Sequence, residues 1–258
     1  MKNYSILIIV LILISANGGC LNKGNKNSSA KNENLTDTST VADTGFTGIK
    51  QYYSSKLLAR EVTFKNGVKH GLMKTYLENG QLYQSFWYEN GVREDTAKWY
   101  FEDGKVFRAT PFKNDSMNGT QIQYYRNGKV RAKLNFVNGI RTPYLEEFTS
   151  DGKKINDYPD LVIRMKDDLN QNGTYKIFLE LTNKTIKATY YKGEYIDGLF
   201  HPKKYKKLNN TETTGYLELK KSGNPGNNYV GIIAEISTAL GNKYLVYKKI
   251  DLPYNDLR

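Results

Sequence analysis

The chain has 258 residues and a formal net charge of +12, from 38 Lys and Arg against 26 Asp and Glu. A single Cys excludes an intramolecular disulfide and a thiolate metal cluster, and two His argue against most His-based metal sites and catalysis. The positive charges are dispersed, not gathered in one stripe, which argues against a nucleic-acid partner. The 21 Tyr and 22 Gly against 6 Pro indicate many short strands and tight turns.

The first twenty residues predict export. Ile6–Ile14 is an aliphatic run of nine residues, too short for a bilayer-spanning helix of about 20 but right for the apolar part of a secretory signal. Small and polar residues then lead to Cys20, the only cysteine. This segment resembles a bacterial lipoprotein signal, which implies that residues 1–19 are removed and that Cys20 is lipidated. An ordinary secretory signal followed by a free Cys is the alternative.

Residues 20–47 predict a disordered tether, because this polar stretch has almost nothing to bury. With a lipid on Cys20, the tether would hold the rest of the chain close to a membrane. We therefore expect a protein of the cell envelope, lipid-anchored and facing the periplasm or the outer surface.

Residues 48–155 contain an internal repeat. Asn-Gly and Asp-Gly dipeptides punctuate the segment, and the glycines of seven of them fall into two interleaved series with a step of 24 residues. One series is Gly80, Gly104, Gly128 and Gly152; the other is Gly67, Gly91 and Gly139, with Asp115 in the missing step. Such dipeptides suit the two-residue type I′ turns of hairpins, and the residues between them alternate with the period of a strand. The repeat predicts an antiparallel meander of two strands per unit.

The repeat resembles a known family. The segments from Gly71 to Gly80 and from Gly119 to Gly128 have a Gly, a central Tyr and a turn Gly, and they are similar to the bacterial MORN-variant repeat. The resemblance implies a β-hairpin ladder. Because the family includes antitoxins of the YwqK type, it also implies a protein partner as one option.

Aromatic residues are the candidate binding groups of the ladder. If the turns at Asn79-Gly80 and Asp103-Gly104 are two-residue loops, cross-strand pairing places five aromatic side chains on one face. They are Tyr76, Tyr83, Trp87, Tyr100 and Phe107. Such a face would bind a glycan, a peptide or an anionic headgroup by stacking. The alternative is that these columns form only the stacking core of the ladder.

Residues 156–258 predict a second β domain. The 24-residue period stops, and six strand-like runs with turn signals between them indicate an Ig-like or related β-sandwich. The runs are Leu161–Met165, Thr174–Leu181, Thr185–Tyr191, Tyr216–Lys220, Tyr229–Ser237 and Lys243–Leu252. The predicted fold class is therefore all-β, an antiparallel hairpin ladder followed by a sandwich.

Asp168 to Gly173 matches the first half of a calcium-binding loop. The twelfth position holds Leu179 where a Glu is expected, so one carboxylate would have to hold the ion. The alternative is an Asn-Gly turn between two strands. We assign no metal and no cofactor to the chain.

The sequence does not indicate an enzyme. His70 lies in a predicted turn and His201 lies beside Pro202, and no nucleophile motif is present. Glu146 and Glu147 are adjacent, so in a strand they would point to opposite faces. We therefore expect a binding or scaffold protein held at the envelope through its lipid, with a protein or glycan partner. The rival hypotheses are an antitoxin or immunity protein that neutralises a toxin, and a glycan-binding surface lipoprotein.

Overall fold

The computed structural model of the protein describes residues 45–211 and 213–258. The predicted signal, Cys20 and the tether up to residue 44 lie outside these residues. Where the chain is described, no helix has the length and apolar character needed to cross a bilayer. The fold is almost entirely β, as predicted.

The ladder is one antiparallel sheet of eleven strands. Each long strand pairs with the next one along the chain, and the short β7 pairs only with β6. This meander confirms the predicted hairpin ladder. The strands are β1 (Gly48–Ser54), β2 (Leu57–Lys65), β3 (Val68–Tyr76), β4 (Leu82–Glu89), β5 (Val92–Tyr100), β6 (Val106–Lys113), β7 (Ser116–Met117), β8 (Gly119–Tyr124), β9 (Val130–Val137), β10 (Ile140–Phe148) and β11 (Lys154–Ile155).

The turns of one glycine series are the predicted two-residue loops. In the turn between β2 and β3, Asn66 and Gly67 both have positive φ, +51° and +78°, and the flanking residues Lys65 and Val68 pair directly. The same geometry recurs at Asn90-Gly91, Asn114-Asp115 and Asn138-Gly139. These are type I′ turns, whose twist matches that of the strands.

The turns of the other series are longer than predicted. At Asn79-Gly80 only the glycine has positive φ, and the amide of Leu77 donates to the carbonyl of Gln81 while the amide of Gly80 donates to that of Leu77. This is a three-residue loop with glycine in the left-handed region. The amide pattern is the same at Gly104, Gly128 and Gly152. The prediction of two-residue loops is therefore wrong for this series.

The longer loops change the register of the strands. A bulge next to Tyr76 makes Leu82 its partner, and a bulge next to Tyr100 makes Val106 its partner. The predicted pairs, Tyr76 with Tyr83 and Tyr100 with Phe107, are wrong for this reason. A one-residue insertion is enough, because neighbouring residues of a strand point to opposite faces.

The C-terminal part is a sandwich of two four-stranded sheets. One sheet has the order β12-β13-β17-β16 and the other β15-β14-β18-β19. Each of the six predicted runs overlaps an observed strand. The sequence does not predict β15 and β16, which have two residues each. The elements are β12 (Leu161–Asp168), α1 (Leu169–Asn172), β13 (Thr174–Leu181), β14 (Ala188–Lys192), a 3₁₀ turn (Pro202–Lys204), β15 (Lys206–Lys207), β16 (Asn209–Asn210), β17 (Gly215–Leu219), β18 (Tyr229–Ser237) and β19 (Lys243–Asp251).

The strand order of the sandwich is that of an Ig-like fold. Lettered A, B, C, C′, D, E, F and G in chain order, β12–β19 give an ABED sheet packed on a C′CFG sheet. Alternate side chains of both sheets fill the core between them, with Ile177 and Leu179 from one sheet and Tyr190 and Ile232 from the other almost fully buried. The Ig-like prediction is confirmed by this connectivity.

A polar network joins the ladder to the sandwich. Glu147 of β10 is 1% exposed and accepts hydrogen bonds from Thr238 Oγ1 at 2.8 Å, Asn242 Nδ2 at 2.7 Å and Tyr158 OH at 3.2 Å. Burial beside this carboxylate raises the pKa of Tyr158 well above its usual range. Ladder and sandwich therefore share a buried junction, and their division into separate domains stays a prediction.

Candidate functional site

Side-chain direction divides the ladder into two faces, because residues that pair across an antiparallel sheet point to the same side, as does every second residue of a strand. The open face carries Lys74, Ser85, Trp87, Lys98 and Tyr100, and the junction face carries Phe86, Trp99, Arg108, Gln123 and Glu147. The hydrogen bonds of Gln123 and Glu147 to the sandwich lie on the junction face.

The five predicted binding residues divide between the two faces. Tyr76, Trp87 and Tyr100 lie on the open face, as their partners in the register require. Tyr83 and Phe107 are the extra residues of the two bulges and pair with neither Tyr76 nor Tyr100. The ring of Phe107 lies 5.8 Å from the guanidinium of Arg108 on the junction face. The structure therefore brings together three of the five, and their role in binding stays a prediction.

The open face contains a shallow cavity of about 300 Å³ at strands β3–β5. Trp87 forms one wall and is 43% exposed, and Leu72 beside it is 39% exposed. On the floor, the hydroxyls of Ser85 and Tyr100 lie 3.0 Å apart. Large exposed apolar side chains grouped on one surface mark an interaction site more often than single ones do.

Two lysines, Lys74 and Lys98, also line this cavity. Lys74 lies 4.0 Å from the carboxylate of Glu61, whereas Lys98 makes no ion pair with any residue that the structure describes. An indole flanked by amines offers a flat apolar surface and positive charge together. The arrangement suits a ligand that has an apolar or planar part and an acidic or hydrogen-bond-accepting part.

A hydrogen bond fixes Tyr76 at the edge of the open face. Its hydroxyl donates to Glu61 Oε2 at 2.6 Å. Burial of the ring, and then this bond to a carboxylate, raise the pKa of Tyr76 to about 12. The bond from Tyr76, with a second from Gln51, lowers the pKa of Glu61. Tyr76 is thus held in place by strand β2 and is a structural neighbour of the cavity, not one of its lining residues.

The junction face carries a row of arginines stacked on aromatic rings, which sequence reasoning missed. Each guanidinium lies over a ring at a distance typical of cation–π contacts. The pairs are Arg60 over Tyr52 at 4.5 Å, Arg93 over Phe112 at 4.6 Å and Arg108 over Trp99 at 3.9 Å. Burial lowers the pKa of Arg108. These contacts rigidify the ladder on the side that faces the junction.

The repeat itself contains the signal that would have found these arginines. Arg60 and Arg108 are 48 residues apart, as are Arg93 and Arg141, which is two steps of 24. The columns are interrupted by other residue types in the intervening units, so they are less visible than the glycine series.

The half calcium loop has a different role in the structure. Asp168 is buried and pairs with Lys166 Nζ at 3.0 Å and Lys176 Nζ at 3.7 Å. Leu169–Asn172 forms one helical turn, which ends at Gly173 with φ +67° and leads into β13. Among the described residues, no group of three or more His, Cys, Asp or Glu is placed to hold a metal ion.

Three consecutive stretches of the ladder match the MORN repeat variant: residues 69–90, 96–114 and 117–138. They begin in β3 and end after β9, so they cover the open-face cavity. The resemblance to MORN-variant repeats is thereby confirmed for these units, and it supports a repeat-based binding module. A comparison with curated proteins finds no match to the chain.

Proposed function

We propose that the protein is an exported, lipid-anchored binding module of the cell envelope whose ladder binds a protein partner through the open face around Trp87. The observation that carries the proposal is the exposed indole of Trp87 beside Leu72 and Lys98, a lysine without an ion pair among the described residues. Interface hot spots are enriched in Trp at the centre of a patch with polar groups around it. A ladder of paired strands holds such a patch rigid, which lowers the entropy cost of binding.

The envelope location rests on the N-terminal signal. Replacing Cys20 with Ser removes the thiol that a lipid would modify, and cell fractionation then reports where the chain goes. We expect the variant to leave the membrane fraction while the parent stays in it. A Cys20→Ser protein that remains in the membrane fraction at its processed size contradicts the lipid anchor.

Binding is tested by capture from envelope extracts with the full-length tagged protein. Trp87→Ala is expected to abolish capture of the partner. Phe178→Ala is the matched control, because Phe178 is an exposed aromatic residue of the sandwich. If both variants capture the same partners as the parent, the open face at Trp87 is not the binding surface.

Two more specific roles can be separated by the nature of the partner. An antitoxin or immunity function requires a toxin as the captured protein, and co-expression with that toxin must restore growth. A glycan-binding function is favoured by the hydroxyls of Ser85 and Tyr100 beside the indole, since sugars stack on Trp and bond to hydroxyls. Binding on a glycan array that Trp87→Ala removes would replace the protein partner by a glycan.

A further inference from the structure

A second site lies between the ladder and the loop that precedes β15. Here a cavity of about 600 Å³ is lined on the ladder side by Ile140 and Arg141. On the sandwich side the loop residues Phe200 and Pro202 form apolar walls. Its volume falls within the range of small-molecule sites, which are mostly apolar with a few polar groups.

Arg141 has no partner for its charge in this place. Its side chain makes no hydrogen bond and no ion pair with any residue for which the structure gives a position, and its Nε and Nη2 are both sealed from solvent. The hydroxyl of Tyr195, whose electrostatic influence reaches Arg141, is also buried without a partner. Buried polar groups are normally paired, so two unpaired donors on one guanidinium call for an explanation.

The repeat shows what such an arginine binds elsewhere in the ladder. Arg93 occupies the same column two repeat steps earlier. Its Nε donates to the carboxylate of Asp115 at 2.9 Å and its Nη2 to the carbonyl of Asp115 at 3.0 Å. The two atoms that Asp115 satisfies at Arg93 are the two that are unpaired at Arg141. The ladder ends before a further unit can supply the acidic turn.

The charges around the cavity favour an anion. Lys203 and Lys204 line it together with Arg141, and Glu235 is the one acidic residue in the lining. Burial lowers the pKa of Arg141, and the Glu235 carboxylate partly offsets this effect without forming an ion pair with it. The cost of a desolvated, unpaired charge is relieved when a counter-ion binds.

We propose that this cavity binds a small organic carboxylate with an apolar body, whose carboxylate is the counter-ion of the Arg141 guanidinium that lines the cavity. The apolar part of the ligand lies against Phe200 and Pro202. Lys203 and Lys204 attract the anion to the entrance. The site is distinct from the open face, since Arg141 pairs with Phe136 on the junction face.

The test is calorimetric titration of the full-length protein with 1-naphthoate and with its neutral counterpart 1-naphthamide. We expect naphthoate to bind at least tenfold more tightly than naphthamide, as charge-assisted hydrogen bonds require. Arg141→Gln is expected to remove this preference. Arg126→Gln, a substitution of an exposed arginine in a ladder turn, is expected to keep it.

A second variant tests the proposal even if Arg141→Gln does not fold. Glu235→Gln keeps the shape of the side chain and removes the negative charge from the lining, so naphthoate affinity is expected to rise about threefold while naphthamide affinity stays the same. The proposal is overturned if the parent protein does not bind naphthoate, if it binds both compounds equally, or if Arg141→Gln folds and binds naphthoate as the parent does. An unfolded Arg141→Gln together with unchanged affinity in Glu235→Gln overturns it as well.

Discussion

The ladder and the sandwich stabilise their strands by different means. In the sandwich, two sheets enclose a core in which Ile177, Leu179 and Ile232 are fully buried. In the ladder, a single sheet extends strand by strand, and its most buried positions include small residues such as Ala97 and Ala132. Apart from the buried Phe86, the large aromatic side chains of the ladder are half-buried or exposed.

This difference decides how much apolar surface each region leaves exposed. A closed core gives stability but leaves little apolar surface for a partner. A single sheet cannot bury both of its faces on itself, so the junction face meets the sandwich at one end of the ladder while the open face stays exposed, which is why we propose the open face for binding. The polar network of Glu147 lies where the two arrangements meet.

The largest effect is expected in the sandwich core. Ile177→Ala should lower the free energy of unfolding by about 4 kcal/mol, because a cavity forms where two sheets prevent collapse. Val62→Ala in the ladder should cost about 1.5 kcal/mol, the transfer free energy of two methyl-sized groups. Urea unfolding followed by circular dichroism measures both. Equal costs for the two variants would contradict the distinction between the two regions.

The second effect tests the junction. Glu147→Ala leaves Thr238 and Asn242 with buried, unpaired groups, so a loss of about 3 kcal/mol is expected. Both tryptophans of the chain lie in the ladder, so tryptophan fluorescence follows the ladder while circular dichroism follows the whole protein. The two unfolding curves should separate in this variant.

The matched control for this variant is the adjacent residue. Glu146 points to the opposite face, as the sequence predicts, and pairs there with Lys154 at 2.6 Å and Lys133 at 3.5 Å. Surface ion pairs contribute about 0–1 kcal/mol, so Glu146→Ala should have a small effect. A similar loss in both variants would refute the special role of the buried carboxylate.

A smaller effect is expected in the three-residue turns of the ladder. Gly80 has φ +80° and open space around the position of a Cβ, so only backbone strain opposes a side chain. Gly80→Ala should therefore cost about 1 kcal/mol, and Gly80→Asn less, because Asn tolerates this conformation better. Thermal unfolding of both variants provides the measurement. If Gly80→Ala is as stable as the parent, the assigned turn geometry is wrong.

The smallest effect concerns the pH dependence of the ladder. The folded-state pKa of Tyr76, about 12, is higher than the unfolded value of 10.0, so folding favours its protonated form. The contribution of the protonated Tyr76 hydroxyl to the stability of the fold is therefore complete below pH 10 and is lost as the pH rises through about 12. Tyr76→Phe should remove this dependence, as seen by unfolding across that range. The hypothesis fails if parent and variant lose stability in parallel.

The sequence predicted the ladder well because its signals are local. A turn dipeptide and a period of two determine a hairpin, and a constant step of 24 residues repeats it. The same dipeptide, however, forms a two-residue loop at Asn66-Gly67 and a three-residue loop at Asn79-Gly80. Loop length depends on how the flanking strands pair, and this one residue makes Leu82 instead of Tyr83 the partner of Tyr76.

The junction could not be predicted from local patterns. Glu147 meets Asn242 across 95 positions of sequence, and neither residue belongs to a motif. Likewise, Arg141 has no side-chain partner within the described part of the chain because the ladder ends there and the loop at Phe200 takes the place of the next unit. Such features arise from tertiary packing, because residues that are distant in sequence decide whether a buried polar group finds a partner.

We propose that the open face of the ladder, and not the sandwich, binds the partner. The most direct measurement is quantitative capture from envelope extracts with the parent protein, Trp87→Ala and Phe178→Ala at equal amounts of folded protein. We expect Trp87→Ala to lose the partner and Phe178→Ala to keep it. If capture survives Trp87→Ala and disappears with Phe178→Ala, the partner binds the sandwich and not the open face.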